Sequence, residues 1–243
     1  AHFTIFGYDA DEFAGRGALE ALGAGVPIRP EDVAVLTHFV TVGEKNGCLR
    51  LGSGFPMATE EDTAELIRAI EFFETGSVKV RFHRTEGLFG VLVFSGHVSP
   101  YITDTDPITA GHLLSDVRPW QAHIRDETAR NTAGVLKQYL TWTYRQLENH
   151  PVNLRRVQND LPKLNMLVTQ RAGQLKMIPF FRERYGLCGI SISSGILYKG
   201  ICAYIGMDFR PMTDSKDYGK DLAERLELAY KLSDTYDFIH VHT

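Results

Sequence analysis

FRERYGLCGISISSGILYKGICAYIGMD, residues 181–208, decides the fold class. A helical pattern over 179–185, stopped by Gly186, gives way to an apolar run at 188–192, and a second helical pattern over 195–205 is closed by Gly206. Short apolar strands alternating with helices are the rhythm of a parallel α/β sheet, because each crossover helix covers a face of the strands it joins. The rhythm continues outward, with a strand expected at 166–169 and a last one at 238–242. Before that last strand, Leu222, Leu226, Ala229 and Leu232, spaced i, i+4, i+7 and i+10, mark the expected buried face of an amphipathic helix.

The middle of the chain reads differently. A strand is expected over 33–42, a helix over 60–73 opened by the capping box TEED at 59–62, and strands over 78–82 and 88–94 around a turn at Gly87. Leu66, Ile67, Ile70 and Phe73 form the inner face of that helix. The two strands read as an antiparallel pair, which makes this an α+β unit. Residues 101–130 are polar and irregular, and a helix over 133–148 ends at His150-Pro151, where the residue before proline is pushed out of the α region. Boundaries are therefore expected near residues 27–30 and 150–152. Residues 1–27 and 151–243 form a partial α/β domain on this reading, and 28–150 an inserted α+β domain.

Of 243 residues, 44% are hydrophobic and 23% charged, which excludes a disordered chain and a coiled coil. With 26 Lys and Arg against 30 Asp and Glu, the net charge is −4, so no basic field exists to hold nucleic acid or an anionic membrane. No apolar run reaches the roughly 18–20 residues of a membrane helix, and the first residues lack a signal pattern, so a cytoplasmic location is expected. Cys48, Cys188 and Cys202 are odd in number and contain no C-x-x-C pair, which predicts buried, reduced thiols.

Five constellations carry possible chemistry. The glycine-rich stretch at 15–25 brings Arg16 and backbone N–H groups together, as a phosphate site does, yet it matches neither G-x-G-x-x-G nor a P-loop; a structural glycine turn is the alternative. His240 and His242 flank Val241 and share one strand face, which offers two metal ligands or two polar groups beside a cleft. Asp104 and Asp106 suit either an acid–base pair or an Asx turn. Asn153, Arg155 and Arg156 with Lys199 could gather around an anion, although a lone lysine in an apolar helix commonly snorkels to water. Ser193-Ser194 lacks the G-x-S-x-G elbow of a hydrolase nucleophile.

Several stretches in the same order resemble the archaeal-type cofactor-independent (2,3-bisphosphoglycerate-independent) phosphoglycerate mutases of the alkaline phosphatase superfamily. They are Gly7-Tyr-Asp9 with GRGALEALGAGV (15–26), EDVAVLTHFVTV (31–42), TDTDP (103–107), HPVNLRR (150–156) and the stretch quoted first. YDFIHVHT (236–243) looks like the family strand that leads into a D-E-x-x-H metal motif. The resemblance implies part of an alkaline-phosphatase-like parallel-sheet domain with an inserted α+β lid. It implies interconversion of 3-phosphoglycerate and 2-phosphoglycerate through a phosphoserine, with two divalent metals (manganese, magnesium or zinc) and no 2,3-bisphosphoglycerate. The nucleophilic serine is then expected before Ala1 and the metal ligands after Thr243, so the chain looks like an internal fragment without turnover of its own. Arg16, Asn153, Arg155 and Lys199 match the family pattern and are the implied contacts to a small phosphorylated metabolite. Leu36-Thr-His-Phe39 stands where many relatives have R-C-N-F, Leu88-Phe-Gly90 where Tyr-Arg-His is frequent, and Asp106-Pro-Ile108 where D-P-H is. Thr37, Gly90 and Ile108 therefore keep two other readings open: a diverged phosphotransferase or phosphohydrolase acting on another phospho- or phosphonate metabolite, and a catalytically silent scaffold.

Overall fold

A computed structural model describes residues 2–53 and 56–243. In chain order the elements are α1 (His2–Ile5), α2 (Arg16–Ala24), β1 (Val33–Lys45), β2 (Cys48–Ser53), α3 (Glu60–Ile70), β3 (Phe72–Thr75), β4 (Val78–Arg84) and β5 (Phe89–Ser95). There follow α4 (Glu127–Glu148), α5 (Pro151–Gln158), β6 (Met166–Gln174), α6 (Phe181–Tyr185), β7 (Gly189–Ser193), α7 (Ile196–Ile205), β8 (Asp208–Pro211), α8 (Tyr218–Leu232) and β9 (Phe238–Val241). They divide into two compact units. Ala1–Ala14, Leu19–Pro27 and Lys176–Thr243 form the first; Gly15–Ala18 and Ile28–Leu175 form the second.

The second unit is an antiparallel sheet in the order β2-β1-β5-β4-β3, with β6 also paired to β1. Val33, Val35, Phe39, Val80, Leu92, Phe94 and Val168 from its strands pack with Leu66 and Ile70 of α3 and Leu136, Tyr139 and Leu147 of α4 into one core. α3 starts where the sequence places it, because the Thr59 hydroxyl accepts the Asp62 N–H at 3.1 Å. It stops sooner than expected, at Ile70: Phe73 pairs with Val80 in the β3–β4 hairpin, and that pairing outweighs its helical spacing. α4 begins at Glu127 rather than at 133, since the Asp126 carboxylate accepts the N–H groups of Thr128 (2.9 Å) and Ala129 (3.4 Å).

The strand expected at 166–169 as part of a parallel sheet is antiparallel to β1 instead. Pro151 ends one helix and opens another, with His150 Nδ1 accepting the Val152 N–H at 3.3 Å, and α5 turns the chain back so that β6 returns beside β1. The second unit consequently runs on to Leu175, past the expected break at 150–152.

In the first unit, β7 lies between β8 and β9, all parallel, with α7 between β7 and β8 and α8 between β8 and β9. α2 and α7 meet backbone to backbone: a Cβ on Gly200 would stand 1.7 Å from Leu19 O, and one on Gly23 1.8 Å from Ile196 O. Gly186 and Gly206 close α6 and α7 at φ 70° and 68°, as their positions predict. α8 departs from its pattern: Leu222 and Leu226 are exposed, and the buried residues are Asp221 and Arg225, which pair at 3.1 Å. Of the three thiols only Cys202 is buried, against the expectation for Cys48 and Cys188. No described helix is long and apolar enough to cross a membrane.

Candidate functional site

β1 and β6 pair out of step at one place. Ala34 faces Gly173 and Leu36 faces Gln170, so Arg171 and Ala172 bulge opposite Val35. Arg171 occupies the left-handed region at φ 56°, a conformation that costs an ordinary side chain on the order of 1–3 kcal/mol. Its N–H donates to Asp104 Oδ1 at 2.6 Å, which ties the bulge to the TDTDP segment. The glycine-rich stretch presses on the same spot. A Cβ on Gly15 would fall 2.5 Å from Gly173 Cα, and one on Gly17 would fall 2.2 Å from Ala34 O and 2.9 Å from Arg171 O. Both glycines are thus required by close backbone approach, and between them Arg16 opens α2 beside the bulge. The backbones beside Arg16 and at Arg171 are thereby neighbours, and guanidiniums are side chains suited to an oxyanion with more than one charge. The sequence singles out Arg16 and not Arg171; Gly173, two residues on and inside a strand pattern, was the signal that pointed to the bulge.

The departures from the family pattern, scattered along the chain, also collect at this end of the second unit. Thr37 faces Gly90 and His38 faces Phe89 across β1 and β5, while Thr37 faces Thr169 across β1 and β6. Thr37 is buried and its hydroxyl donates to Val168 O at 2.9 Å. The His38 ring lies 5.3 Å from that of Phe89, and its Nε2 is 3.9 Å from Asp106 Oδ2. Asp106 accepts the Ile108 N–H at 2.7 Å through Oδ1 and the Gln170 amide at 2.6 Å through Oδ2. These bonds make it the head of an Asx turn as well as a neighbour of His38. Ile108 is exposed at φ 66°. At Gly90 a Cβ would meet Phe82 Cζ at 2.5 Å and His83 O at 2.7 Å, so this position holds glycine for want of room. Burial, reinforced by Arg81, holds the His83 imidazole below its ordinary 6.5.

The remaining expected site residues lie elsewhere. Asn153 is fully buried: its amide donates to Leu147 O (2.7 Å) and Leu164 O (3.0 Å), and its carbonyl accepts the Leu164 N–H (2.7 Å). It locks α5 to the ends of the segments around it and presents no atom to a ligand. Arg156 is buried as well, bonded to Pro162 O, Met57 O and Asp62. Arg155 is exposed and reaches Glu65 (3.3 Å) and Asp62 (3.4 Å) of α3. In the first unit Lys199 is exposed on α7. There His240 and His242 do share a face, with His240 Nδ1 2.9 Å from Ser191 Oγ and His242 Nε2 2.5 Å from Tyr198 Oη. Ser194 donates to Asp214. Among the described residues no group of three or more His, Cys, Asp and Glu side chains is placed to hold a metal ion. Among the described residues the donors therefore do not assemble a metal centre.

Residues 1–153 match the family described as 2,3-bisphosphoglycerate-independent phosphoglycerate mutase. A protein of that name from Methanopyrus kandleri is 36% identical over 252 residues, and one from Ignicoccus hospitalis is 35% identical over 254. Each alignment takes in 100% of this chain, but 58% and 59% of the relative. The chain thus spans less than two-thirds of the length of the curated relatives it matches. The solved cofactor-independent phosphoglycerate mutase from Thermoplasma acidophilum superposes with a TM-score of 0.66 at 30% identity, covering 100% of this chain and 63% of that one. A Pyrococcus horikoshii protein shares the fold, with a TM-score of 0.67 at 22% identity over 99% of this chain and 54% of its own.

Proposed function

The chain belongs to the 2,3-bisphosphoglycerate-independent phosphoglycerate mutase family, and from that premise we propose that it is the substrate-gripping part of an enzyme interconverting 3-phosphoglycerate and 2-phosphoglycerate. The second unit is the lid over the substrate, and the first is part of the α/β domain that carries the chemistry. The observation that supports this most is the seating of Arg16 between two glycines that only close backbone approach requires, beside Arg171 in its bulge. A phosphate dianion held by two guanidiniums keeps its charge balanced while the glycerate turns. Lys199 is a further cation for the moving phosphoryl group, Arg155 an accessible one at the α3 edge, and Asn153 a residue that positions α5. Two divalent metals and a nucleophilic serine complete the proposed chemistry, and no described group of His, Cys, Asp and Glu side chains in this chain is placed to hold such a metal.

The test is a chimera in which this chain replaces the matched stretch of the Methanopyrus kandleri protein. Turnover of 3-phosphoglycerate, coupled to enolase without 2,3-bisphosphoglycerate, is expected and should require added divalent metal. A folded, metal-loaded chimera without turnover would refute the reading.

A second reading is supported by Gly90, where relatives with Tyr-Arg-His carry a side chain that Phe82 and the His83 carbonyl leave no space for. The patch of Thr37, His38, Phe89, Gly90 and Ile108 is then remodelled as a set for another phosphorylated or phosphonate metabolite. A folded chimera inactive on phosphoglycerate but active on such a compound would establish it.

A further inference from the structure

The irregular stretch that follows β5 is fastened at two points. Leu114 N–H donates to Leu49 O at 3.0 Å and Ser115 N–H to Thr105 O at 3.0 Å, which ties residues 114–115 to β2 on one side and to the TDTDP segment on the other. A cavity of about 390 Å³ lies between this stretch, the β1–β2 turn at Gly47-Cys48 and one face of α4, wholly inside the second unit. Leu49, Leu114, Val117, Leu140 and Met166 give it an apolar lining. The backbone bonds on both flanks keep the stretch from settling onto α4, so the cavity is preformed, at the small end of the range that takes metabolite-sized ligands.

Its polar groups are arranged with a direction. Lys137, Thr141 and Tyr144, spaced by four and three residues along α4, all line it. Among the described residues that do so, only Lys137 and Asp116 carry charge. Lys137 Nζ donates to Asp116 Oδ1 at 3.1 Å, and Arg118 Nε lies 3.5 Å from Asp116 Oδ2, so two cations share one carboxylate and hold it below the usual carboxylate range. That rim has one positive charge in excess, and an ammonium bonded once keeps two further N–H donors. At Tyr144 the field is opposite: burial, with Glu148 and Glu44 nearby, raises the phenol above its ordinary value.

We propose that this cavity binds a small apolar monocarboxylate, its carboxylate on Lys137 and its hydrocarbon or aromatic body against Leu114, Leu140 and Met166. An ammonium ligand would find Asp116 already shared by two cations, and a multiply charged phosphate would find a single spare charge above an apolar lining. The site is also connected to the one described above. Thr105 lines the cavity, while on either side of it Asp104 accepts the Arg171 N–H (2.6 Å) and Asp106 the Gln170 amide (2.6 Å). A ligand that holds Thr105 in place therefore steadies the bulge at Arg171. The inference does not require the phosphoglycerate chemistry and its test reads no activity, so the two fail separately.

The test ligand is 3-phenylpropanoate, with phenethylamine and inorganic phosphate as controls, added to the whole chain. Exposed Cys48 lines the cavity and reports occupancy through its reaction with an aromatic disulfide reagent, and half-buried Cys188 in the first unit is the internal reference. Titration calorimetry should give one site with a Kd of about 0.1–1 mM. At ten times that concentration labelling of Cys48 should slow about tenfold and that of Cys188 should not change. Hydrogen exchange at the Arg171 N–H should slow in the bound form. Lys137→Met should weaken binding about tenfold, and Thr141→Trp, which fills the cavity from an exposed position on α4, should abolish it. Both variants should melt within about 2 °C of the parent. Equal protection of Cys48 by phenethylamine or phosphate, no protection at about 10 mM 3-phenylpropanoate, or binding indifferent to both substitutions would overturn the proposal. Exchange at Arg171 that ignores the bound ligand would overturn the connection to the candidate site.

Discussion

Gly17→Ala isolates the contact that seats Arg16. The new methyl would lie 2.2 Å from Ala34 O, 2.8 Å from Ala34 C and 2.9 Å from Arg171 O. All three are backbone atoms, so no rotamer change relieves them. Ala34 is paired to Val93 on one side and to Gly173 on the other, which prevents β1 from retreating. Reaching an ordinary contact of about 3.5 Å means displacing α2 by roughly 1 Å. Overpacking of this kind costs about 1–3 kcal/mol, and the better helix propensity of alanine returns up to about 1 kcal/mol. With three backbone atoms inside 3.0 Å the cost lies at the upper end of that range, so the net loss is about 2 kcal/mol, or a fall of about 4–8 °C in melting temperature for a chain of this size. Differential scanning calorimetry of the parent and the variant measures it. Gly134→Ala is the control, since that glycine lies in α4 with nothing within 4 Å of a Cβ, and the same methyl there should raise the melting temperature. A Gly17→Ala variant that melts at or above the parent temperature would refute the reasoning.

Arg225→Met leaves Asp221 buried without its partner and should lower stability by about 3–5 kcal/mol in urea titrations, with much of the loss recovered when Asp221→Leu is added; a single variant as stable as the parent contradicts the role given to the pair. His83 is held below its ordinary 6.5, so between that value and its lowered folded pKa the unfolded chain takes up a proton that the folded chain refuses. The stability it contributes is complete above pH 6.5 and lost on acidification, and His83→Gln should flatten the fall in urea midpoint below that pH; parallel slopes would count against it. Gly90→Ala should destabilise the chain by about 1–3 kcal/mol through contact with Phe82 and the His83 carbonyl, again by calorimetry. In the chimera, Lys199→Ala should lower turnover at unchanged melting temperature; unchanged turnover removes Lys199 from the site.

Local signals carried far in this sequence wherever a residue acts on its own neighbours. Gly186 and Gly206 end their helices where expected, and Thr59 opens α3, because caps depend on a few adjacent backbone groups. Elements decided by distant partners were not legible. Residues 166–169 announce a strand, but only β1 determines that it runs antiparallel, and Phe73 leaves its helix for a partner on β4. α8 misleads for another reason: its apolar spacing is genuine, yet the buried row is the charged one, since Arg225 reaches Asp214 and the His242 carbonyl. At the candidate site, Arg16 stood out through its glycines, whose structural purpose and whose proximity to Arg171 both arise from contact with β1 and β6. Asn153 matched a pattern while its amide was engaged inside the fold.

The pairing of β1 with both β5 and β6 sets the order in which the second unit assembles. β4 and β5 are a hairpin and meet early, but the Thr37 hydroxyl waits for Val168 O, 131 residues further on. Closing so long a loop is slow, and on the ribosome β1 emerges with one edge unsatisfied until the chain has been made past Gln174. During that interval an apolar strand with free N–H and C=O groups is a template for other chains. Expression at lower temperature, or with a chaperone that shields strand edges, should therefore raise the soluble yield more than any change at the C-terminal end.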